Sequence, residues 1–255
     1  MSEMGFLPDW LDLREPVDHA ARDPSLLARA AECVGAGKAV LDLGSGTGST
    51  ARAFKGTVPD DAWHFLDTDE KLLHVAARRH PGSQQIRFNL RNVDALPLDG
   101  AGLVTASALL DLMPISWIEG LAKRLYAAGL PLYAALNYNG HMSWTPSLPD
   151  DAKITSSFNI HQLRDKGIGR ATGPHAASEA QRVFKEHGFD VVTGDSPWEL
   201  GAGQAALHAE LLLGIRNAAA EVGCETADIW LDDRRAILAN STASIGHTDL
   251  LAIPR

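Results

Sequence analysis

From about residue 38 onwards, short apolar runs alternate with stretches of helical periodicity. Ala39-Val40-Leu41, Ala62-Trp63-His64-Phe65-Leu66, Ile86-Arg87-Phe88, Leu103–Ala108 and Leu130–Asn137 are such runs. Their length and near-continuous apolarity are those of strands buried on both faces of a parallel sheet. Helices are predicted over about 47–55, 69–79, 114–128 and 176–187, and two further strands over about 189–194 and Ala243–Ile253. Strands alternating with helices predict an α/β fold, a doubly wound, seven-stranded and mostly parallel sheet with helices on both faces. Ahead of it, 8–35 reads as one or two helices, with Pro24 suited to the first position of the second.

Two segments lie outside this alternation. The first, 138–175, is rich in Asn, His, Trp and Pro, and the second, about 200–240, reads as two helices. Leu207, Leu211 and Ile215 form an apolar stripe on one, and Ile229, Trp230 and Ile237 on the other. Both leave the sheet at the carboxyl ends of strands, the edge where open α/β sheets bind ligands, so they are expected to roof the ligand site.

The chemistry starts at the first strand. Val40-Leu41-Asp42-Leu43-Gly44-Ser45-Gly46-Thr47-Gly48 runs straight from apolar strand into three glycines at alternate positions. Glycine permits positive φ and lets backbone N–H groups approach a ligand. The third glycine comes one residue earlier than in the dinucleotide G-x-G-x-x-G, and no Gly-Lys-Ser/Thr ending is present. Asp42, just inside the strand, suits a cationic or amino group and disfavours a phosphate. Asp67 ends the second strand, placed to accept hydrogen bonds from ribose hydroxyls, with Thr68 beside it. The alternative for Asp67 is a helix N-cap, since Asp67-Thr68-Asp69 precedes a helix.

Asp42, the early third glycine and Asp67 together resemble the class I S-adenosylmethionine-dependent methyltransferases, over roughly residues 38–137. The resemblance implies S-adenosylmethionine as cofactor, bound by Asp42, Gly44, Ser45, Gly46, Thr47, Gly48, Asp67 and Thr68, and a sheet order 3-2-1-4-5-7-6 with the last strand antiparallel. It also implies an adenine site after the third strand, where such enzymes often carry acid-Ala-x-x-Leu-Pro. Counting back from Leu96-Pro97 gives that place to Asn92 and the Val93 N–H, and a register shifted by two gives it to Asp94. Ser107 is the polar group nearest the methionine part. Arg14, Asp18 and Arg22 share one helix face by i, i+4, i+8 spacing. In the family a leading helix can cover the cofactor and an arginine pair with its carboxylate, which points to Arg14; a solvated ion-pair ladder is the alternative.

The acceptor is narrowed by what the chain lacks. No Asn/Asp-Pro-Pro-aromatic segment follows the fourth strand, as in DNA and protein amide methyltransferases, and no Pro-Cys pair is present to attack a pyrimidine. A formal charge of −9 without a long Lys/Arg cluster argues against nucleic acid. Expected acceptor-side residues are Asp111, Asn137, Tyr138 and Trp144, with His141 and His161 as base candidates because imidazole titrates near neutral pH. The His and Asp spacings match no metal-ligand motif, so no metal is expected.

Composition sets the remaining bounds. At 255 residues one domain spanning the chain is expected, a helical cap at 8–35 preceding a core at 38–137. Two distant cysteines exclude a disulfide framework. Met1–Gly5 has no basic leader and no apolar run reaches about 18 residues, so no membrane partner is expected and the default compartment is the cytoplasm. The expected activity is methyl transfer to a small molecule. Its rivals are an NAD-dependent Rossmann oxidoreductase and a non-catalytic S-adenosylmethionine-binding partner subunit; the sequence leaves oligomeric state open.

Overall fold

The computed structural model describes residues 8–255, and the Met1–Gly5 segment lies outside them. Two helices lead, α1 (Pro8–Ala21) and α2 (Pro24–Glu32), the second capped by Asp23, whose side chain accepts from the Leu26 N–H. The alternating core follows: β1 (Ala39–Leu43), α3 (Ser49–Ala53), β2 (Trp63–Asp67), α4 (Glu70–Arg79), β3 (Gln84–Arg87), β4 (Ala101–Ser107), α5 (Ile115–Ala128) and β5 (Leu132–Thr145). Then come α6 (Asp151–Gln162), α7 (Ala176–Glu186), β6 (Phe189–Asp195), β7 (Trp198–Leu200), α8 (Ala205–Glu221), α9 (Ala227–Ile237) and β8 (Thr242–Pro254).

The main sheet runs β3-β2-β1-β4-β5-β8-β6, with β7 pairing to β8 beside that path. This is the expected 3-2-1-4-5-7-6 order with one short strand added. β1 to β5 are parallel and β8 is antiparallel to β5 and β6. Successive strand residues face opposite layers. Leu41, Leu43, Val104, Leu132 and Leu250 pack against α5 and α7, while Val40, Leu103, Tyr133 and Leu251 pack with Phe54, Trp63 and Phe65 toward α2, α3 and α4. Both faces are covered, which explains why these strands read as continuous apolar runs.

The expected end of the fifth strand at Asn137 is corrected. β5 continues to Thr145, bulging where Leu136 takes φ +56° and again between Tyr138 and Met142, and it pairs with β8 throughout. The strand thus rises past the sheet edge into the roof. There a separate core gathers Val17, Tyr138, Trp144, Ile154, Trp198, Leu207, Leu212, Ile215 and Trp230. On α8 it is Leu212 that is buried while Leu211 is half-buried, and on α9 Ile229 stays exposed. The roof core rests on a fully buried Arg234, which ion-pairs Asp151 and donates to the Pro146 carbonyl at 2.7 Å.

Candidate active site

The chain leaves β1 through Gly44, Gly46 and Gly48, all at positive φ. A Cβ on Gly48 would stand 2.9 Å from the His80 ring and 3.1 Å from Phe65, and one on Gly46 would stand 3.2 Å from Leu11 of α1. These positions therefore demand glycine both by backbone angle and by space. Asp67 ties the loop down, its carboxylate accepting from the Gly46 N–H at 2.9 Å and from the Asp69 N–H at 3.0 Å. The N-cap of α4 is Asp69, which accepts from the Lys71 N–H, so Asp67 is not spent as that cap.

Above the loop lies a cavity of about 340 Å³. Its wall includes Gly44–Thr47, Asp67 and Thr68 on one side, Ser107 and Leu109 after β4, Arg14 and Asp18 on α1, and Lys166 and Ile168 from the first insertion. Ala108, also on the wall, holds φ +49°, an uncommon angle for a residue other than glycine. An open groove of about 1050 Å³ continues from it past Asp67, Phe88, Asn89 and Arg91.

Asp42 is buried one layer beneath. One oxygen accepts from the Thr105 hydroxyl at 2.7 Å and the other has no partner. Burial pushes its pKa up to about 6, against the opposing pull of the Thr105 hydrogen bond and the Arg22 charge. Arg22 lies just past the end of α1 and donates to Ser107 Oγ at 2.7 Å. Arg14 is paired to Asp18 at 2.8 Å, so the expected three-residue face is split: two members line the cavity and the third reaches beneath it.

The acceptor-side expectations fare unevenly. Asp111 stands in the turn after β4, with a buried oxygen lacking a partner. Burial raises its pKa to about 6, and the charges of Arg14 and Lys166 oppose that rise. Asn137 is instead a pin between strands, its amide donating to the Ala134 and Thr248 carbonyls at 3.0 Å each. Tyr138 is buried and donates to Asn159 at 2.7 Å. Trp144 packs edge-on against Trp230 in the roof core.

Neither base candidate lines the cavity, and Asp111 itself is not on its wall, although Leu109 and Leu112 on either side of it are. His141 is exposed beside Asn139, and His161 faces Glu221 at 3.1 Å, its pKa lowered chiefly by burial. Asn92 is exposed and Val93 packs toward Gly120; the groove beside them is walled by Phe88–Arg91. Leu11 and Ile168 were not among the site expectations, and only their folded position marks them. Among the described residues no cluster of three or more His, Cys, Asp or Glu is arranged to hold a metal.

Residues 40–129 match the family model of a methyltransferase domain. The chain carries an S-adenosylmethionine-dependent methyltransferase domain. That match sets the NAD-dependent alternative aside. Among solved structures, the methyltransferase resembles a cyclopropane-fatty-acyl-phospholipid synthase-like protein from Lactobacillus casei (TM-score 0.56, 15% identity, covering 98% of this chain and 95% of that one). It also resembles the YcgJ protein from Bacillus subtilis (TM-score 0.54, 15% identity, 91% and 99% covered). A third is a cyclopropane synthase from Mycobacterium tuberculosis (TM-score 0.52, 12% identity, 97% and 94% covered). At these identities the likeness establishes the fold. No curated protein matches the chain by sequence.

The residues present fit the cofactor. The loop glycines keep open a floor that a Cβ would crowd, and Asp42 and Ser45 each keep a buried oxygen without a partner beside it. No helix among the described residues is long and apolar enough to cross a membrane.

Proposed function

We propose that this methyltransferase acts on a small molecule carrying an N–H or O–H group, held between the cofactor cavity and the roof. The observation that carries this reading is Asp111, a carboxyl group with an unpartnered buried oxygen on the turn between two cavity-lining residues, Leu109 and Leu112. When bound, S-adenosylmethionine supplies an activated methyl group on a sulfonium.

The chain's own work is placement. Gly44, Ser45, Gly46, Thr47 and Gly48 form the floor for the cofactor, Asp67 and Thr68 take the ribose, and Arg14 and Ser107 take the amino-acid end. Asp42 braces the loop from below. Burial behind α1 and the segment carrying Lys166 and Ile168 excludes water, and alignment of the acceptor supplies much of the acceleration. Asp111, in place of His141 or His161, accepts the acceptor's proton, so turnover is expected to fall as pH drops through about 6.

The formal charge of −9 supports a small acceptor over nucleic acid, and two unpaired cysteines support a reducing, cytoplasmic setting. The test is incubation with methyl-tritiated S-adenosylmethionine and, separately, a small-metabolite extract, total RNA and total protein. Label in the small-molecule fraction, lost in Asp111→Asn, supports the reading. Label confined to RNA or protein overturns the acceptor class, and no label in any fraction favours a non-catalytic partner subunit.

A further inference from the structure

We propose that Trp198 is a positioning residue for the cofactor, setting the Arg14–Asp18 pair on the cavity wall from a strand outside the seven-strand sheet path. The proposal rests on the cofactor reading above. β7 is three residues long and hangs on β8 through Trp198 opposite Ile245, beside the main sheet path. Its indole is 3% exposed and belongs to the roof core.

From there the indole holds both members of the pair. Its Nε1–H donates to Asp18 Oδ1 at 2.9 Å, and the Arg14 guanidinium lies over its ring, 5.0 Å from the centroid. Arg14 closes the triangle, donating from Nε to Asp18 Oδ2 at 2.8 Å and from its terminal nitrogen to Oδ1 at 3.2 Å. A long, flexible arginine side chain is thereby fixed by a planar fork and an aromatic face together.

The His247 ring packs on the same indole at 5.1 Å, and burial followed by the Arg14 charge drives its pKa down to about 3. A neutral imidazole adds no charge to repel the guanidinium. The roof that encloses the acceptor therefore also sets the charges facing the cofactor's amino-acid end.

The test compares S-adenosylhomocysteine with 5′-methylthioadenosine, which lacks the amino-acid part, by titration calorimetry. Trp198→Phe keeps a ring and removes the N–H donor. It is expected to weaken S-adenosylhomocysteine about tenfold and to leave 5′-methylthioadenosine within about twofold. Asp18→Asn alone should give the same split. In the Asp18→Asn background, Trp198→Phe should add nothing, because both act through one carboxylate.

Equal weakening of the two ligands, an undiminished effect of Trp198→Phe in the double variant, or no effect of either substitution overturns the positioning role. If the wild-type protein binds neither ligand, the cofactor reading itself falls, and the proposal with it.

Discussion

The floor of the cavity is made by neighbours in sequence, Gly44–Thr47 with Asp42 buried beneath them, and Asp67 is brought alongside by one parallel strand pairing. The roof is made by strangers: Val17, Tyr138, Trp144, Trp198 and Trp230 meet only when four separate elements close into the roof core. The floor depends on backbone angles that glycine alone adopts without strain, whereas the roof depends on side-chain packing around one buried cation. The two regions should therefore fail in different ways: floor changes should abolish binding in a folded protein, and roof changes, apart from Trp198 where the roof touches the cavity wall, should cost folding first.

The largest effect is expected from Gly46→Val. Gly46 has φ +53°, and an added Cβ already reaches 3.2 Å from Leu11, so a branched side chain must displace α1 or fill the cavity. Binding of S-adenosylhomocysteine should fall more than about a hundredfold while the far-ultraviolet circular dichroism stays folded. Retained affinity would reduce the loop to a turn.

The counterpart on the roof is Asp151→Ala. Asp151 accepts from Trp230 Nε1 at 2.8 Å and pairs with Arg234, whose side chain is 0% exposed. Removing the carboxylate leaves a buried cation with only the Pro146 carbonyl and the Trp144 ring against it, which costs about 3–5 kcal/mol. Urea melts followed by tryptophan fluorescence should show that loss, and the folded fraction should still bind S-adenosylhomocysteine within about twofold. If affinity falls in step with stability, the floor and roof are one cooperative unit and the contrast between them fails.

The same division decided what the sequence could reveal. The glycine loop, Asp67, Ser107 and the strand order were legible because each is a local signal, a run of apolar residues or a glycine at a strand end. The roof was legible only in position. Asn137, Tyr138 and Trp144 lie on the segment that rises past the sheet edge, yet the first is a pin between strands and the other two are roof core. His141 and His161 drew attention by residue type, and type says nothing about which way a side chain faces. Ile168 and Trp198 are the converse, unremarkable in sequence and placed at the cavity or behind it by contacts some 150 residues and more away along the chain from α1.

A smaller effect separates binding from bracing within the floor. Asp67→Ala removes an acceptor that holds the Gly46 N–H and stands at the proposed ribose site. Calorimetry should show S-adenosylhomocysteine weakened by about 1.5–3 kcal/mol, the range for hydrogen bonds to a charged group. An unchanged affinity would leave Asp67 as a brace alone and move the ribose elsewhere in the cavity.

The last expected effect has the opposite sign for stability. Asp42 titrates near 6 in the folded protein against 3.8 for the free side chain, chiefly because it is buried. Between those values the folded state binds more protons than the unfolded chain. Stability therefore falls as pH rises from about 4 to 6, and the penalty is fully present above that. Asp42→Asn removes the charge and keeps an oxygen to accept from Thr105. It should stabilise the protein by about 3 kcal/mol at pH 7.5 and by nothing below about pH 4. The same substitution should weaken cofactor binding, because the orphaned oxygen beneath the loop is then no longer a carboxylate. A loss of stability at pH 7.5 in place of that gain would mean that Asp42 is held ionised by Arg22 and Thr105, and that the floor, like the roof, is organised around a satisfied buried pair.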